Sequence, residues 1–414
     1  MKRLITLALL LMSFSYAQVS FDMGGDLKTD FGVFFDDGLF STASTQLDLK
    51  LAGEVGSGFF PDASFNALVR GKYNAITNTS SFSIREAYAT AYLGDFDLSV
   101  GNQKVFWGSV DGFNPVDQIN PRDLSNPFVD PEEQKTPIPM LRVVYNSAFD
   151  LKLDAVVIPV HVASTLPGAR WQPKQAPMQL PPGVQIVGQN PVINNLPEAK
   201  VGNIQYGVRA SYNLDLLEGA DVSASYFHGI RTTPTASAKL IPTANRGQFK
   251  VQPSLNYDMY DLIGLDFSVA LPATVIRGEF AYTITGDPEG IIPTIQNHSF
   301  AAVLGSEYTF AGDIMTVGQI MFDYTAADKG KDASTRISSL LTASYDIDNY
   351  MNTKIIWLQN YSDGSGALRP AFTYKFADGV SASADVVFLY GSDTSQFGSL
   401  SKNSSLNLSF DYSF

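Results

Sequence analysis

Three imidazoles, His161, His228 and His298, are spread over 414 residues, and there is no cysteine. Histidines this far apart, without thiols, give no zinc-ligand spacing, and no glycine-rich run of the phosphate-cradling kind occurs. His228 stands near Ser225 and Asp221, the residue types of a serine hydrolase. The GxSxG turn that presents such a serine is missing, which leaves a hydrolase as a subordinate reading. What the sequence distributes widely is cationic: Lys50, Arg70, Lys72, Arg85, Arg142, Lys152, Arg209, Arg277, Arg336, Arg369 and Lys375 sit opposite in parity to apolar neighbours. Asp48, Asp154, Glu279, Glu307, Asp323 and Asp385 share those faces, which sets up pairing across neighbouring strands. Cations lining a narrow passage stabilise anionic or carboxylate-bearing solutes; paired with acids, they wet and stiffen a wall. No cofactor or metal is expected, since Asp130-Pro131-Glu132-Glu133 lacks the ligand spacing of a divalent-cation loop.

The elements that carry these residues are strands. Leu406, Leu408, Phe410, Tyr412 and Phe414 occupy one parity of the C-terminal segment, and Asn407, Ser409, Asp411 and Ser413 the other. The same alternation runs through Phe300 to Phe310, Ile314 to Tyr324, Ile337 to Ile347, Leu368 to Phe376 and Val380 to Tyr390. Tight connections at Gly94-Asp95, Ala311-Gly312-Asp313 and Ala377-Asp378-Gly379 alternate with longer ones at 328–334 and 392–403. That asymmetry predicts an all-β, transmembrane, antiparallel up-and-down barrel of about eighteen strands, within sixteen to twenty, whose long loops are extracellular. A secreted sandwich or propeller would need polar outer faces; here the apolar faces end in aromatics such as Tyr88, Tyr92, Tyr206, Tyr212, Phe280, Tyr282, Tyr308 and Phe310, as membrane girdles do. Lys50, Arg70, Lys72, Arg85, Arg142, Lys152, Arg209, Arg277, Glu279, Arg336 and Arg369 then line the pore.

Composition agrees. Charged residues make up 17% and aromatics 12%, and beyond the N-terminus no apolar stretch reaches the roughly 20 residues of a membrane helix. Strands can cross a bilayer only as a closed barrel, where each backbone group finds a partner. Residues 1–17, with Lys2 and Arg3, an apolar run from Leu4 to Met12 and Ser15-Tyr16-Ala17, read as a cleaved signal peptide, leaving 18–414 as one barrel domain in the bacterial outer membrane. The net charge of −13, −15 once Lys2 and Arg3 are gone, disfavours nucleic acid as a partner. Acids crowd the connections: Asp36, Asp37, Asp95, Asp111, Asp117, Asp123, Asp130, Glu132, Glu133, Asp287 and Asp313. The expected partners are outer-membrane lipid and small solutes; the sequence leaves monomer and oligomer both open. Alternation begins at once with Val19, Phe21 and Met23, leaving no room for the plug domain of an energised receptor. A passive pore for small hydrophilic solutes is the first reading, and a plugged barrel serving as receptor or adhesin the second.

Two long connections, 107–139 and 161–202, could fold into so wide a lumen. The first is rich in X-Pro pairs that hold a loop to one path, and Trp107, Asp111, Asp117, Asn120, Arg122 and Asp123 are its candidate constriction residues. Gly101 and Gln103 leading into Trp107-Gly108, then Asn120-Pro121 with Asp123, Pro137 to Leu141, and the strand Arg277-Gly278-Glu279 resemble an uncharacterised family of outer-membrane barrels related to the alginate-export and phosphate-selective porins. Where members carry Arg before that glutamine and Glu after Trp-Gly, Asn102 and Ser109 stand here. The resemblance implies a barrel and transport. Phe414 likewise resembles the terminal aromatic by which assembly machinery reads the last strand of such barrels.

Overall fold

The computed structural model describes residues 18–56, 61–172, 183–215, 218–292, 294–310, 313–329 and 332–414. The signal segment 1–17 and the turn residues Ala311 and Gly312 lie outside them. Among the described residues no helix is long and apolar enough to cross a membrane, which says nothing of strands.

The strands in chain order are β1 (Gln18–Phe34), β2 (Phe40–Gly56), β3 (Ala63–Asn74), β4 (Thr79–Leu93), β5 (Phe96–Gln103), β6 (Ile138–Asn146), β7 (Leu151–Ile158), β8 (Gln185–Gln189), β9 (Ile193–Asn195), β10 (Gln205–Leu214) and β11 (Ala220–Ile230). There follow β12 (Thr235–Pro242), β13 (Gln248–Asn256), β14 (Met259–Leu271), β15 (Thr274–Thr285), β16 (Ser299–Phe310), β17 (Ile314–Thr325), β18 (Ser334–Asp346), β19 (Met351–Asn360), β20 (Ser365–Ala377), β21 (Val380–Tyr390) and β22 (Ser405–Ser413). Eighteen of them form one antiparallel sheet in which each strand pairs with the next, and β22 returns to β1 with Asp26 opposite Ser413 and Phe34 opposite Ser405. The sheet is a closed barrel, and no edge strand is left unpaired.

Closure works because the alternation continues from strand to strand. Outside, Val100, Leu141, Val157 and Tyr206 follow one another across β5, β6, β7 and β10, all exposed. A belt of this kind is stable only against hydrocarbon. Inside, the opposite parity forms a polar mesh: Asn407 donates to Asp385 at 3.0 Å and Ser409 to Asp30 at 2.7 Å. Tyr206, Tyr212, Phe280, Tyr282, Tyr308 and Phe310 are exposed on the outer face as expected.

Tyr88 and Tyr92 are not on that face. Strand β4 carries one extra residue, Arg85, opposite the step from Leu68 to Val69. A bulge of one residue reverses the parity beyond it. Tyr88, Thr90 and Tyr92 therefore share the inner face, where Thr90 bonds Ser99 at 2.8 Å and the Tyr92 hydroxyl meets Ser64 at 2.9 Å.

The remaining four strands lie in the connections β7–β10 and β11–β14. β12 pairs antiparallel with β13, and β13 pairs in parallel with β8 and β9, giving a small sheet at the long-loop rim. This sheet was not expected from the sequence.

Candidate functional site

The connection from β5 to β6, residues 104–137, turns into the lumen, and its own side chains hold it there. Asn120 ties its two ends. Its amide oxygen accepts from the Val105 N–H at 2.8 Å, while its amide nitrogen donates to the carbonyls of Gln103 at 3.2 Å and Thr136 at 3.0 Å. An asparagine suits this position because it offers donors and an acceptor on one short arm. The Trp107 indole is fully buried, and its N–H donates to Asp154 at 3.0 Å. Arg142 donates side-on to the same carboxylate at 2.8 and 2.7 Å. Gly207 leaves room for the indole; a β-carbon there would stand 2.9 Å from its Cη2.

Past Trp107 the backbone turns at Gly108, whose φ of +100° side chains rarely adopt. The next residues reach Glu279 on β15: one carboxylate oxygen accepts from Ser109 and Val110 N–H, both at 2.8 Å, and the other from Val116 N–H at 3.2 Å. The Ser109 hydroxyl donates to the Phe267 carbonyl at 2.8 Å. Further round, Gln319 on β17 accepts from Phe113 N–H at 3.2 Å and donates to the Asp111 carbonyl. Asp130 caps a single helical turn, α1 (Pro131–Gln134). Arg369 on β20 donates to the Phe128 carbonyl at 2.6 Å, and Arg85 on β4 to the Lys135 carbonyl at 3.0 Å. The loop is thus braced against walls on several sides of the barrel.

Beneath it lies one apolar cluster in which Val105, Trp107, Val116 and Ile119 pack on Ile138, Met140, Val156, Ile158, Phe227 and Leu262 of the wall. Beside it Asp117 and Lys135 form an ion pair, both buried. Lys135 also donates to the Val105 carbonyl at 2.9 Å and sits 3.6 Å from the centre of the Phe106 ring. Burial pushes the Asp117 carboxyl up and the Lys135 ammonium down from their ordinary ranges, because desolvation outweighs their mutual attraction.

The second long connection packs on the first. Leu124 N–H donates to the Thr165 carbonyl and Thr165 N–H to the Arg122 carbonyl, both at 3.0 Å, Ser164 accepts from Arg122 N–H at 3.0 Å, and Trp171 meets Phe128. His161 lies here, edge-on to Tyr257, and burial holds its imidazole down at about 4. The folded state therefore favours the neutral ring. That contribution is whole above the ordinary value of 6.5 and is lost as the pH falls toward 4. Amide protection of residues 158–172 is expected to weaken over that interval in the wild type and to stay level in His161→Phe, read by hydrogen exchange corrected for intrinsic rates.

The inner faces are extensively paired. Arg70 meets Asp48 at 2.6 Å, Arg142 Asp154 at 2.7 Å, Arg277 Glu307 at 2.8 Å, Arg336 Asp323 at 2.8 Å, Arg369 Asp385 at 3.0 Å and Lys50 Asp26 at 2.5 Å. Arg209 pairs with Asp266 at 2.7 Å, an acid that parity alone would have placed inside but that sequence reading passed over. Lys72 and Lys152 are exposed and have no ion-pair partner among the described residues. Trp107, Asp117 and Asn120 are buried anchors of the loop, whereas Arg122 and Phe113 face open space. Asp123 accepts from Ser125 N–H at 3.0 Å, a local turn. His228 meets Asp261 at 2.8 Å and stacks on Tyr206, while the buried Ser225 hydroxyl has no partner. Three residues apart on one strand they take opposite faces, so no serine–histidine pair is assembled.

Between the loop and the wall from β14 to β18 an open cavity of about 540 Å³ remains, lined by Arg122, Arg231, Arg336, Asp323, Tyr260 and Met321 among others. Gln319 and Arg231 were not singled out from sequence. The signal for the first is a lone amide at inner parity in an otherwise apolar stretch; for the second, an arginine immediately past a strand end.

No curated protein matches the chain. Among solved structures, OmpF of Salmonella typhi in complex with daunomycin is similar over 95% of this chain and 97% of its own, with a TM-score of 0.50 and 12% identity. A triple mutant of the Rhodopseudomonas blastica porin covers 95% and 100%, with a TM-score of 0.44 and 12% identity. The first likeness establishes a porin-like barrel fold. A family model described as "Protein of unknown function (DUF1302)" matches residues 72–303, the span that holds Trp107, Asn120, Asp154 and Glu279, and the chain belongs to that family.

Proposed function

We propose that this protein is a channel of the bacterial outer membrane through which small hydrophilic solutes diffuse passively, and that anionic or carboxylate-bearing solutes pass preferentially. The observation that carries the proposal is a closed eighteen-stranded barrel, apolar outside and polar inside, crossed by a fixed loop beside an open cavity. A lumen partitioned in this way passes solutes by size and charge. In this reading residues 18–414 are one barrel exported by 1–17, kin to the alginate-export and phosphate-selective porins, and Phe414 addresses the last strand to the assembly machinery. Swelling of liposomes that contain the refolded protein tests it. Small neutral sugars and small carboxylates are expected to enter, carboxylates faster than amines of equal size. Liposomes that swell in none of them would refute the channel.

A further inference from the structure

We infer that the cavity between the inserted loop and the β14–β18 wall is a binding site for a small carboxylate with an apolar body, anchored by Arg231. The inference rests on the channel reading only for how such a ligand would reach the cavity.

The cavity's volume, about 540 Å³, suits a small organic molecule. Three arginines and one acid line it, and the acid is already used, since Asp323 accepts both contacts from Arg336 at 2.9 and 2.8 Å. Arg122 reaches Asp117 only at 3.7 Å, and that carboxylate is held by Lys135. Arg231 has no ion-pair partner among the described residues. Its Nε and Nη2 are buried without a hydrogen-bond partner. This is the side-on edge that Arg70 turns to Asp48, Arg142 to Asp154 and Arg369 to Asp385, so the chain shows three times what that edge binds. Asp258 lies near enough for its charge to act on Arg231 but makes no ion pair with it: its backbone carbonyl accepts from Arg231 N–H at 2.9 Å, and its Oδ2 is also without a hydrogen-bond partner.

A guanidinium left unsatisfied away from water is costly, and an entering carboxylate relieves that cost. Arg231 lines the cavity while Nε and Nη2 are buried, so taking a carboxylate on that edge requires the side chain to change rotamer toward the cavity. Next to it the Tyr260 ring lies 5.2 Å from the guanidinium carbon, and Leu262, Met321, Phe113 and Pro115 continue an apolar wall. A charged head beside a flat apolar surface describes an aromatic or short branched carboxylate better than an inorganic anion.

Benzoate is the probe, with benzamide as its neutral counterpart, titrated calorimetrically into the detergent-solubilised protein. Benzoate is expected to bind saturably and benzamide about tenfold more weakly or worse, the size expected of a bidentate charge-assisted contact. Arg231→Gln should reduce benzoate to the benzamide level. Met321→Trp, which fills the cavity from β17 with Arg231 intact, should abolish binding of both. Absence of benzoate binding to the folded barrel, or binding unchanged in both variants, overturns the site. Because the titration needs no ion flow, binding without conductance would keep the site and refute the channel, and conductance without binding would do the reverse.

Discussion

Glu279→Ala is expected to raise the single-channel conductance several-fold. The Glu279 carboxylate is the shared acceptor of three backbone N–H groups, from Ser109, Val110 and Val116. Such bonds contribute about 0.5–1.5 kcal/mol each to a neutral acceptor and about 1.5–3 kcal/mol to a charged one. Water entering the lumen recovers part of this, so the net loss of loop anchoring is about 3 kcal/mol or more. Trp107 and Asn120 would still hold the loop's ends while its middle moved away from β15 and widened the passage. Glu279→Gln keeps an oxygen for Ser109 and Val110 but turns an amide toward Val116 N–H, and its conductance should fall between the two. Identical conductance in all three proteins would mean that the loop does not limit flow.

Asp117→Asn should be the most destabilising single change in the loop. It leaves the buried Lys135 charge without its adjacent counterion, held only by neutral acceptors, the new amide oxygen and the Val105 carbonyl, and by the Phe106 ring. Removing one partner of a buried pair costs about 3–5 kcal/mol. Guanidinium unfolding of the refolded barrel, followed by Trp fluorescence, should show the loss, with Trp107 reporting from the adjacent cluster. Adding Lys135→Met removes the orphaned charge and should recover most of it. A double variant as unstable as the single one would place the cause elsewhere.

The barrel was legible because lipid enforces one rule on every strand. The outer face must be apolar throughout, so period-two alternation survives, and β21 begins at Val380 and ends at Tyr390 where the pattern does. The inner arginines and their acids were legible for the same reason, by parity. Parity misplaced Tyr88 and Tyr92 because the extra residue at Arg85 leaves no mark in composition. The rim sheet escaped notice because β8 and β9 are five and three residues long and pair in parallel, without the turn that signals a hairpin.

The loop's role was half legible. Trp107-Gly108 and Asn120-Pro121 stood out as unusual, and Glu279 was placed on the inner face. That Glu279 holds the loop could not be read, since its partners are backbone groups 163 to 170 residues away and any residue supplies an N–H. Gly108, Asn120 and Glu279 all lie within the span 72–303 that the family model matches, and all three fix the inserted loop. The barrel around them follows only a pattern.

Single-channel recording of the refolded mature protein in planar bilayers under a salt gradient tests the central claim most directly. Discrete, small conductance steps with a reversal potential on the anion side are expected. A barrel that inserts, shown by its resistance to added protease, yet passes no current would contradict it.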